Sequence, residues 1–189
     1  MNPVATIRLK DRGDVVIELM PEAAPNSVNS FISMAKKGYY DHYAIQRVVP
    51  GFCVDVSYTG FGRKECRFLI ESDARQSARF LDLVPGVVAM GGYGENKICG
   101  SEFFFPLAPM SQHTGIYPAF GRILEGFSLI QEIEKVELRP VKMPEGLEHI
   151  TINEPVTPVV IERVLVDTFG VEYPEPVRLS IMPDNSMWT

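Results

Sequence analysis

Short β-type runs separated by polar turns dominate this sequence, and only two stretches show the period of a helix. VATIRL (4–9) and VVIEL (15–19) flank the polar turn KDRGD and predict a hairpin. Further strands are predicted at 43–49, 52–57, 86–90, 102–105, 118–123 and 156–169. Many short strands with few helices favour a mainly antiparallel β structure. The periodicity does not choose between a barrel and a sandwich.

The two helical segments are marked by a change of period. In residues 26–37, apolar side chains recur at i, i+3, i+4 and i+7 from Val28 to Ala35, which places them on one helix face. Pro25 near the start and Gly38 after the end are the expected start and stop signals. A second amphipathic helix is predicted at 126–136.

Size and charge limit the domain organisation and the kinds of partner that fit this sequence. With 189 residues, 46% of them hydrophobic, the chain fits one domain with a real core, predicted to span 1–169. Residues 170–189 are predicted to be a C-terminal extension, packed on the domain or trailing from it. The net charge is -6 and there is no basic run, so nucleic acid is not an expected partner. We expect the protein to be a monomer.

The expected location is the cytoplasm. The N-terminal residues lack the basic and apolar regions of a signal peptide, and no run reaches the ~18 apolar residues of a membrane helix. The three cysteines are far apart and odd in number, which favours a reducing compartment.

The usual cofactor motifs are missing. AMGGYGENKICGS (89–101) is rich in glycine but lacks the P-loop pattern, and no G-x-S-x-G elbow is present. The three histidines have no metal-ligand spacing. We therefore expect neither a cofactor nor a metal.

Arg47 is the residue that stands out, because it lies in an apolar strand just before a Pro-Gly turn. On type alone it could be an edge residue that reaches solvent or pairs with a carboxylate. However, aromatic residues follow in Phe52, EFFF (102–105) and PAFGRI (118–123). A fixed cationic donor beside aromatic rings is typical of a pocket for an apolar group that carries one polar atom.

Three motifs at this point resemble one known family. They are QRVVPGF (46–52), AMGGYG…GSEFFF (89–105) and AFGRILEGFSLIQEIEKVE (119–137), and the resemblance runs from about residue 4 to 168. The sequence is similar to the cyclophilin-type peptidyl-prolyl cis-trans isomerases, in a single-domain, bacterial-like form. The resemblance implies a closed eight-stranded antiparallel barrel capped by two helices. It also implies catalysis of rotation about X-Pro bonds, which assists protein folding, with proline-containing peptides and flexible protein segments as partners.

The resemblance also implies roles for individual residues. Arg47 is expected to be catalytic, and Phe52 and Phe104 to hold the proline ring. Asp55 and Glu102 are expected to lie near Arg47. The other expected substrate-binding residues are Cys53, Gly91, Gly92, Gln112, His113 and Tyr117.

Several of these positions depart from the usual family pattern. Cys53 stands where methionine is common, Gly92 where asparagine is common, and Tyr117 where histidine is common. Gln112-His113 replaces an aromatic-leucine pair. Asp55 and Glu102 replace glutamines, and we expect at least one of the two carboxylates to pair with Arg47 and leave the activity modest. The alternative is a proline-peptide binding module with little turnover.

The turn after Arg47 raises a question of register. A two-residue hairpin would place Arg47 opposite Val54 and put Asp55 on the other face, whereas the resemblance requires Arg47 and Asp55 to share a site. Pro-Gly favours a type II turn, which suits tight hairpins poorly. We therefore expect a bulge or a wider loop.

For EYPEPV (172–177), surface packing is favoured over docking in a neighbouring molecule's groove.

Overall fold

The structure is a computed structural model, and it describes residues 1–56, 64–74, 80–94, 97–141 and 152–181. The helices are α1 (Pro25–Lys36) and α2 (Phe127–Ile133). The strands are β1 (Val4–Leu9), β2 (Gly13–Leu19), β3 (Tyr43–Ala44), β4 (Arg47–Val49), β5 (Cys53–Val56), β6 (Leu69–Ile70), β7 (Val87–Gly92), β8 (Ile98–Pro106), β9 (Ala119–Glu125), β10 (Leu138–Pro140), β11 (Asn153–Pro155) and β12 (Val160–Asp167).

One strongly curled antiparallel sheet forms most of the fold. Its strand order is β3-β12-β1-β2-β9-β7-β8-β5-β4, with β6 also paired to β8. The two end strands, β3 and β4, are consecutive in the chain and only two residues apart. The sheet therefore curls until its ends meet through the covalent chain.

This arrangement confirms the mainly β prediction with two helices and corrects two details. Among the described residues the sheet has ten strands rather than eight, and no ladder joins β3 to β4. The strand predicted at 43–49 is interrupted at Ile45 and Gln46, because the chain leaves the β12 side of the sheet there and joins the β5 side.

The core lies between α1 and the concave face of the sheet. Side chains of β1 and β2 alternate between buried and less buried positions, as one buried face requires. Phe31 of α1 packs against Tyr40, Phe103 and Phe120, with ring centroids 5.1–5.4 Å apart. The face predicted from Val28 to Ala35 is buried in this core.

Asp73 caps the start of α1 from a distant part of the chain. The local N-cap residue, Ala24, makes no side-chain cap. The buried Asp73 carboxylate instead accepts the backbone N–H groups of Asn26 (3.1 Å) and Ser27 (2.7 Å) and the Ser27 hydroxyl (2.7 Å). The first N–H groups of the helix, which have no partner inside it, are satisfied in this way.

Residues 171–181, which we call the C-terminal strap, pack against α1 and β6. The Asn26 side chain accepts the Val177 N–H at 2.7 Å and donates to the Val177 carbonyl at 3.0 Å. The Leu179 N–H donates to the Leu69 carbonyl at 2.9 Å. Lys37 forms an ion pair with Glu175 at 2.9 Å. The strap thus lies along the surface, and residues 182–189 of the predicted extension lie outside the described residues.

In the described part of the chain, neither helix has the length and apolar character needed to cross a membrane.

Candidate active site

The site begins with the β4–β5 hairpin, whose loop holds three residues. Val49 pairs with Cys53, and Arg47 pairs with Asp55. The Phe52 N–H donates to the Val49 carbonyl at 2.9 Å, closing a turn over Pro50 and Gly51. Gly51 has a φ of +72°, the positive value that a type II turn requires at its third residue. The wider loop predicted from Pro-Gly is present, and it brings Arg47 and Asp55 face to face.

Arg47 and Asp55 form a largely buried ion pair. Nη1 of Arg47 lies 2.9 Å from Oδ2 of Asp55, and the two side chains are 22% and 17% exposed. The same Nη1 lies 3.6 Å from Sγ of Cys53. Among the described residues, both of these contacts engage Nη1, which leaves Nε and Nη2 as the candidate donors to a ligand.

Burial sets the protonation of the groups around Arg47. It raises the pKa of Asp55 to about 6, against the attraction and hydrogen bond from Arg47, which lower it. It also raises the pKa of the Cys53 thiol to about 12. For Arg47 itself, burial lowers the pKa, but attraction from Asp55 and Cys53 outweighs burial and the pKa is raised overall. The arginine stays charged, whereas Asp55 changes charge near neutral pH.

A small apolar cluster lies beside this pair and is separate from the main core. Phe104 of β8 pairs across the sheet with Asp55 and is 6% exposed. The other buried members of the cluster are Cys53, Leu83, Val87, Ala89, Met110 and Ala119, with Phe52 and Tyr117 partly buried against them. Phe104 is thus buried in the wall of the site and not in the core under α1.

Four rings form a continuous series along this cluster. Phe52 meets His113 edge to face at 5.6 Å, His113 stacks on Tyr117 at 6.0 Å, and Tyr117 meets Phe104 edge to face at 5.9 Å. Edge-to-face and offset contacts at these distances are favourable for aromatic pairs. The series forms an apolar surface beside the Arg47 guanidinium and the Cys53 thiol.

The glycine-rich segment forms the end of the site near Tyr117. The Tyr117 hydroxyl donates to the Gly92 carbonyl at 3.3 Å. The Tyr93 N–H donates to the Lys97 carbonyl at 3.0 Å, folding the loop back, so a Cβ on Gly92 would overlap that carbonyl oxygen. Glycine at position 92, the departure from the usual asparagine, is therefore required by this tight loop.

The remaining predicted residues lie on either side of this loop. Glu102 is buried on β8 and packs against Gly91, where an added Cβ would be 3.2 Å from the Glu102 Cβ. Gln112 is exposed and next to His113 in the chain.

Seven of the eleven predicted site residues form two groups, and the other four, Gly91, Gly92, Glu102 and Gln112, lie beside them. Polar contacts join Arg47, Cys53 and Asp55. Ring contacts join Phe52, His113, Tyr117 and Phe104. Glu102 lies on the Gly91 side of the site, and Gln112 lies at its exposed edge.

Comparison with known proteins shows to which family the chain belongs. The sequence profile of the "Cyclophilin type peptidyl-prolyl cis-trans isomerase/CLD" family matches residues 4–166. The chain belongs to the cyclophilin-type peptidyl-prolyl cis-trans isomerase family. The prediction made from its three motifs is confirmed.

Individual relatives of this cyclophilin differ in length. It is 32% identical over 135 residues to the peptidyl-prolyl cis-trans isomerase cyp15 of Rhizopus delemar, covering 70% of this chain but 21% of the relative. It is 29% identical over 149 residues to CYP18-1 of Arabidopsis thaliana, covering 75% and 88% of the two chains. The chain thus spans about a fifth of the fungal relative and most of the plant one. Both relatives are eukaryotic, and the bacterial-like form stays a prediction.

Solved structures share the fold. A cyclophilin type peptidyl-prolyl cis-trans isomerase of Cryptosporidium parvum aligns with a TM-score of 0.69 at 19% identity, over 88% of this chain and 98% of that one. A second structure of that protein, determined in the presence of the dipeptide Ala-Pro, aligns with a TM-score of 0.67.

Sequence reasoning missed two features around the site. Leu83 and Met110 lie in the wall beside Phe104, but each lies in a loop with no regular period. Glu134, at the end of α2, accepts the Gly51 N–H at 2.7 Å from 83 residues away. A single sequence carries no signal for such a contact.

Proposed function

We propose that this chain is a peptidyl-prolyl cis-trans isomerase that accelerates rotation about X-Pro peptide bonds and so assists protein folding. The substrates are proline-containing peptides and unfolded or flexible protein segments, and no cofactor takes part. Membership of the family supports this activity, as do the names of the relatives. The observation that carries it is the partly buried Arg47, held at 2.9 Å by Asp55 beside the Phe52–His113–Tyr117–Phe104 series.

The chemistry asks for little more than an oriented donor. Amide resonance gives a rotation barrier of ~18–20 kcal/mol, and an X-Pro bond exchanges in tens to hundreds of seconds. In the twisted transition state the proline nitrogen loses resonance and regains its lone pair. A guanidinium N–H directed at that nitrogen stabilises the twisted state more than the planar ground state, which is the condition for catalysis.

We assign the roles within the site as follows. Arg47 donates to the proline nitrogen through Nε or Nη2 while Asp55 holds Nη1. Phe52 and Phe104 hold the proline ring, and Cys53 fills the space beside it. The remaining substrate contacts come from Gly91, Gly92, Glu102, Gln112, His113 and Tyr117.

The test compares Arg47→Ala with wild type in the cis-to-trans relaxation of an Ala-Pro-Phe-type peptide. A donor of this kind contributes about 2–4 kcal/mol, so we expect the catalysed rate to fall about a hundredfold. Arg122→Ala is the matched control, because Arg122 is an exposed arginine on β9. A wild type no faster than buffer contradicts the proposal.

The binding-module alternative is favoured by one observation. Asp55 occupies a guanidinium donor where the family often has a neutral glutamine, and this weakens the donor offered to the substrate nitrogen. Comparing peptide affinity with isomerisation rate separates the two functions, since a module binds the peptide without accelerating its relaxation.

We also propose a location and an oligomeric state: the protein is a cytoplasmic monomer, with no membrane or nucleic-acid partner. The three cysteines are buried and form no disulfide, as suits a reducing compartment. We also propose the division into an isomerase domain at 1–169 and an extension at 170–189, because the family match ends at residue 166 and the strap contributes no predicted site residue.

A further inference from the structure

The turn between Arg47 and Phe52 is contacted by a residue from a distant part of the sequence. Glu134 follows the last residue of α2, and its Oε1 accepts the Gly51 N–H at 2.7 Å. β11, which follows later in the chain, also lies against β4. The segment after α2 therefore packs beside the hairpin that carries the site.

The Gly51 N–H is exposed and has no acceptor within the turn. The hydrogen bond that closes the turn joins the Phe52 N–H to the Val49 carbonyl, so it leaves the N–H of the third turn residue unused. A carboxylate satisfies this group with a charge-assisted hydrogen bond, which is shorter and stronger than a neutral one. The contact restrains the turn at the residue whose φ is +72°.

Helix stability does not account for Glu134. A carboxylate at the C-terminal end of a helix faces the negative end of the helix dipole and is unfavourable there. α2 has no basic residue in its last turn that would offset this charge. Within the described residues, the favourable contact seen for Glu134 is its hydrogen bond to the turn.

The turn sets the two groups on which the proposed chemistry depends. Phe52 is its last residue, and the Phe52 carbonyl accepts the Leu107 N–H at 2.9 Å, tying the turn to the strand of Phe104. Arg47 lies two residues before Val49, opposite Asp55. If the turn moves, the Phe52 ring and the Arg47 guanidinium shift relative to each other.

We infer that Glu134 is a positioning residue, which acts through the Gly51 N–H to hold Phe52 and Arg47 in their productive arrangement. This inference rests on the proposed function. Glu134 touches no substrate in this mechanism. Its effect is to keep the turn in one conformation before the peptide binds, so that less ordering is required on binding.

The test compares Glu134→Ala, Glu134→Gln and Glu132→Ala. Loss of the acceptor in Glu134→Ala is expected to lower kcat/KM roughly threefold to tenfold. Glu134→Gln keeps an amide oxygen as acceptor and should recover most of that loss, which a general loss of charge at this position would not allow. Glu132→Ala removes an exposed carboxylate from the same helix and should leave kcat/KM unchanged.

Two readouts that need no turnover separate this inference from the proposed function. The Gly51 amide proton should shift upfield and exchange faster with solvent in Glu134→Ala, and the dissociation constant for an Ala-Pro peptide should rise by a similar factor. A wild type that binds the peptide without turnover contradicts the isomerase, and the affinities still test Glu134. Unchanged affinity and unchanged kcat/KM in Glu134→Ala, or an equal loss in Glu134→Gln, overturns the positioning role.

Discussion

Arg47 and Asp55 are directly opposite each other on β4 and β5, and 2.9 Å separates Nη1 from Oδ2. The three-residue loop sets this relationship, because a loop one residue shorter would turn Asp55 to the other face of the hairpin. The pair puts a carboxylate on the guanidinium that the proposed reaction needs, at Nη1. It is therefore the first place to test how this chain differs from its family.

Substituting Asp55 with the family's glutamine should preserve or raise turnover. The amide still accepts a hydrogen bond from Nη1 but no longer attracts the guanidinium as a charge, so the donor is stronger toward the substrate nitrogen. The measurement is kcat/KM on an Ala-Pro-Phe-type peptide. Asp14→Gln is the control, since Asp14 pairs with Arg8 across β1 and β2 in an exposed ion pair. A collapse of activity in Asp55→Gln would show that the carboxylate is required.

Turnover should depend on pH through Asp55. Because the pKa of Asp55 is raised to about 6, its carboxylate becomes protonated as the pH falls through that value, and the charge holding Arg47 is lost. We expect kcat/KM to rise between pH 7.5 and 5, and this rise to be absent in Asp55→Gln. Parallel profiles for the two proteins would contradict the assignment to Asp55.

The free energy of unfolding should also depend on pH through Asp55, and the raised pKa of Asp55 fixes the direction of this dependence. In the folded protein the pKa of Asp55 is raised from its ordinary value of 3.8 to about 6. Its contribution to the free energy of unfolding is therefore fully present below pH 3.8 and is lost as the pH rises through about 6. Subtracting the free energy of unfolding of Asp55→Gln from that of wild type at each pH isolates the group. The difference should become less favourable to wild type between pH 4 and 7.

Restoring the family's asparagine at position 92 should damage the protein. A side chain there meets the Lys97 carbonyl, a backbone group that cannot swing away. We expect Gly92→Asn to lower the free energy of unfolding by about 1–3 kcal/mol, as overpacking does. Gly91→Ala is the comparison, because its Cβ would meet chiefly the Glu102 side chain, at 3.2 Å. Equal losses in denaturant titrations would remove this explanation.

The C-terminal strap should contribute stability and leave the site unchanged. Asn26→Ala removes the amide that binds both backbone groups of Val177, and we expect a loss of about 1–3 kcal/mol in the free energy of unfolding. Asn29→Ala, on the same helix, should cost less. A truncation after Gly170 should lower the melting temperature while peptide affinity stays the same. A loss of peptide affinity would indicate that the strap takes part in binding.

Much of the fold was predictable because most elements have a clear period. The first hairpin and α1 lie within a few residues of their predicted bounds, since alternation and 3.6-residue periodicity are strong over six or more residues. The two-residue strand β6 and the three-residue strands β10 and β11 were missed. Such short segments have no period to detect, and their pairing depends on distant strands.

The motif residues of the site were predictable from the sequence, but the contacts between distant loops were not. The identity of Arg47 and Phe52 came from motifs. The family resemblance required Arg47 and Asp55 to share a site, and the turn preference of Pro-Gly predicted the bulge or wider loop that allows it. The small wall cluster around Met110 and the contact between Glu134 and Gly51 did not follow, because each depends on how loops far apart in sequence fold together.

The strap has a consequence for the behaviour of the protein in a crowded solution. β6 is bonded to β8 on one side, and on the other side its backbone is covered by Val177, Arg178 and Leu179. A strand left bare on one side offers unpaired N–H and C=O groups to any extended chain, which is a common route to aggregation. By occupying those groups, the strap makes self-association through this strand unfavourable.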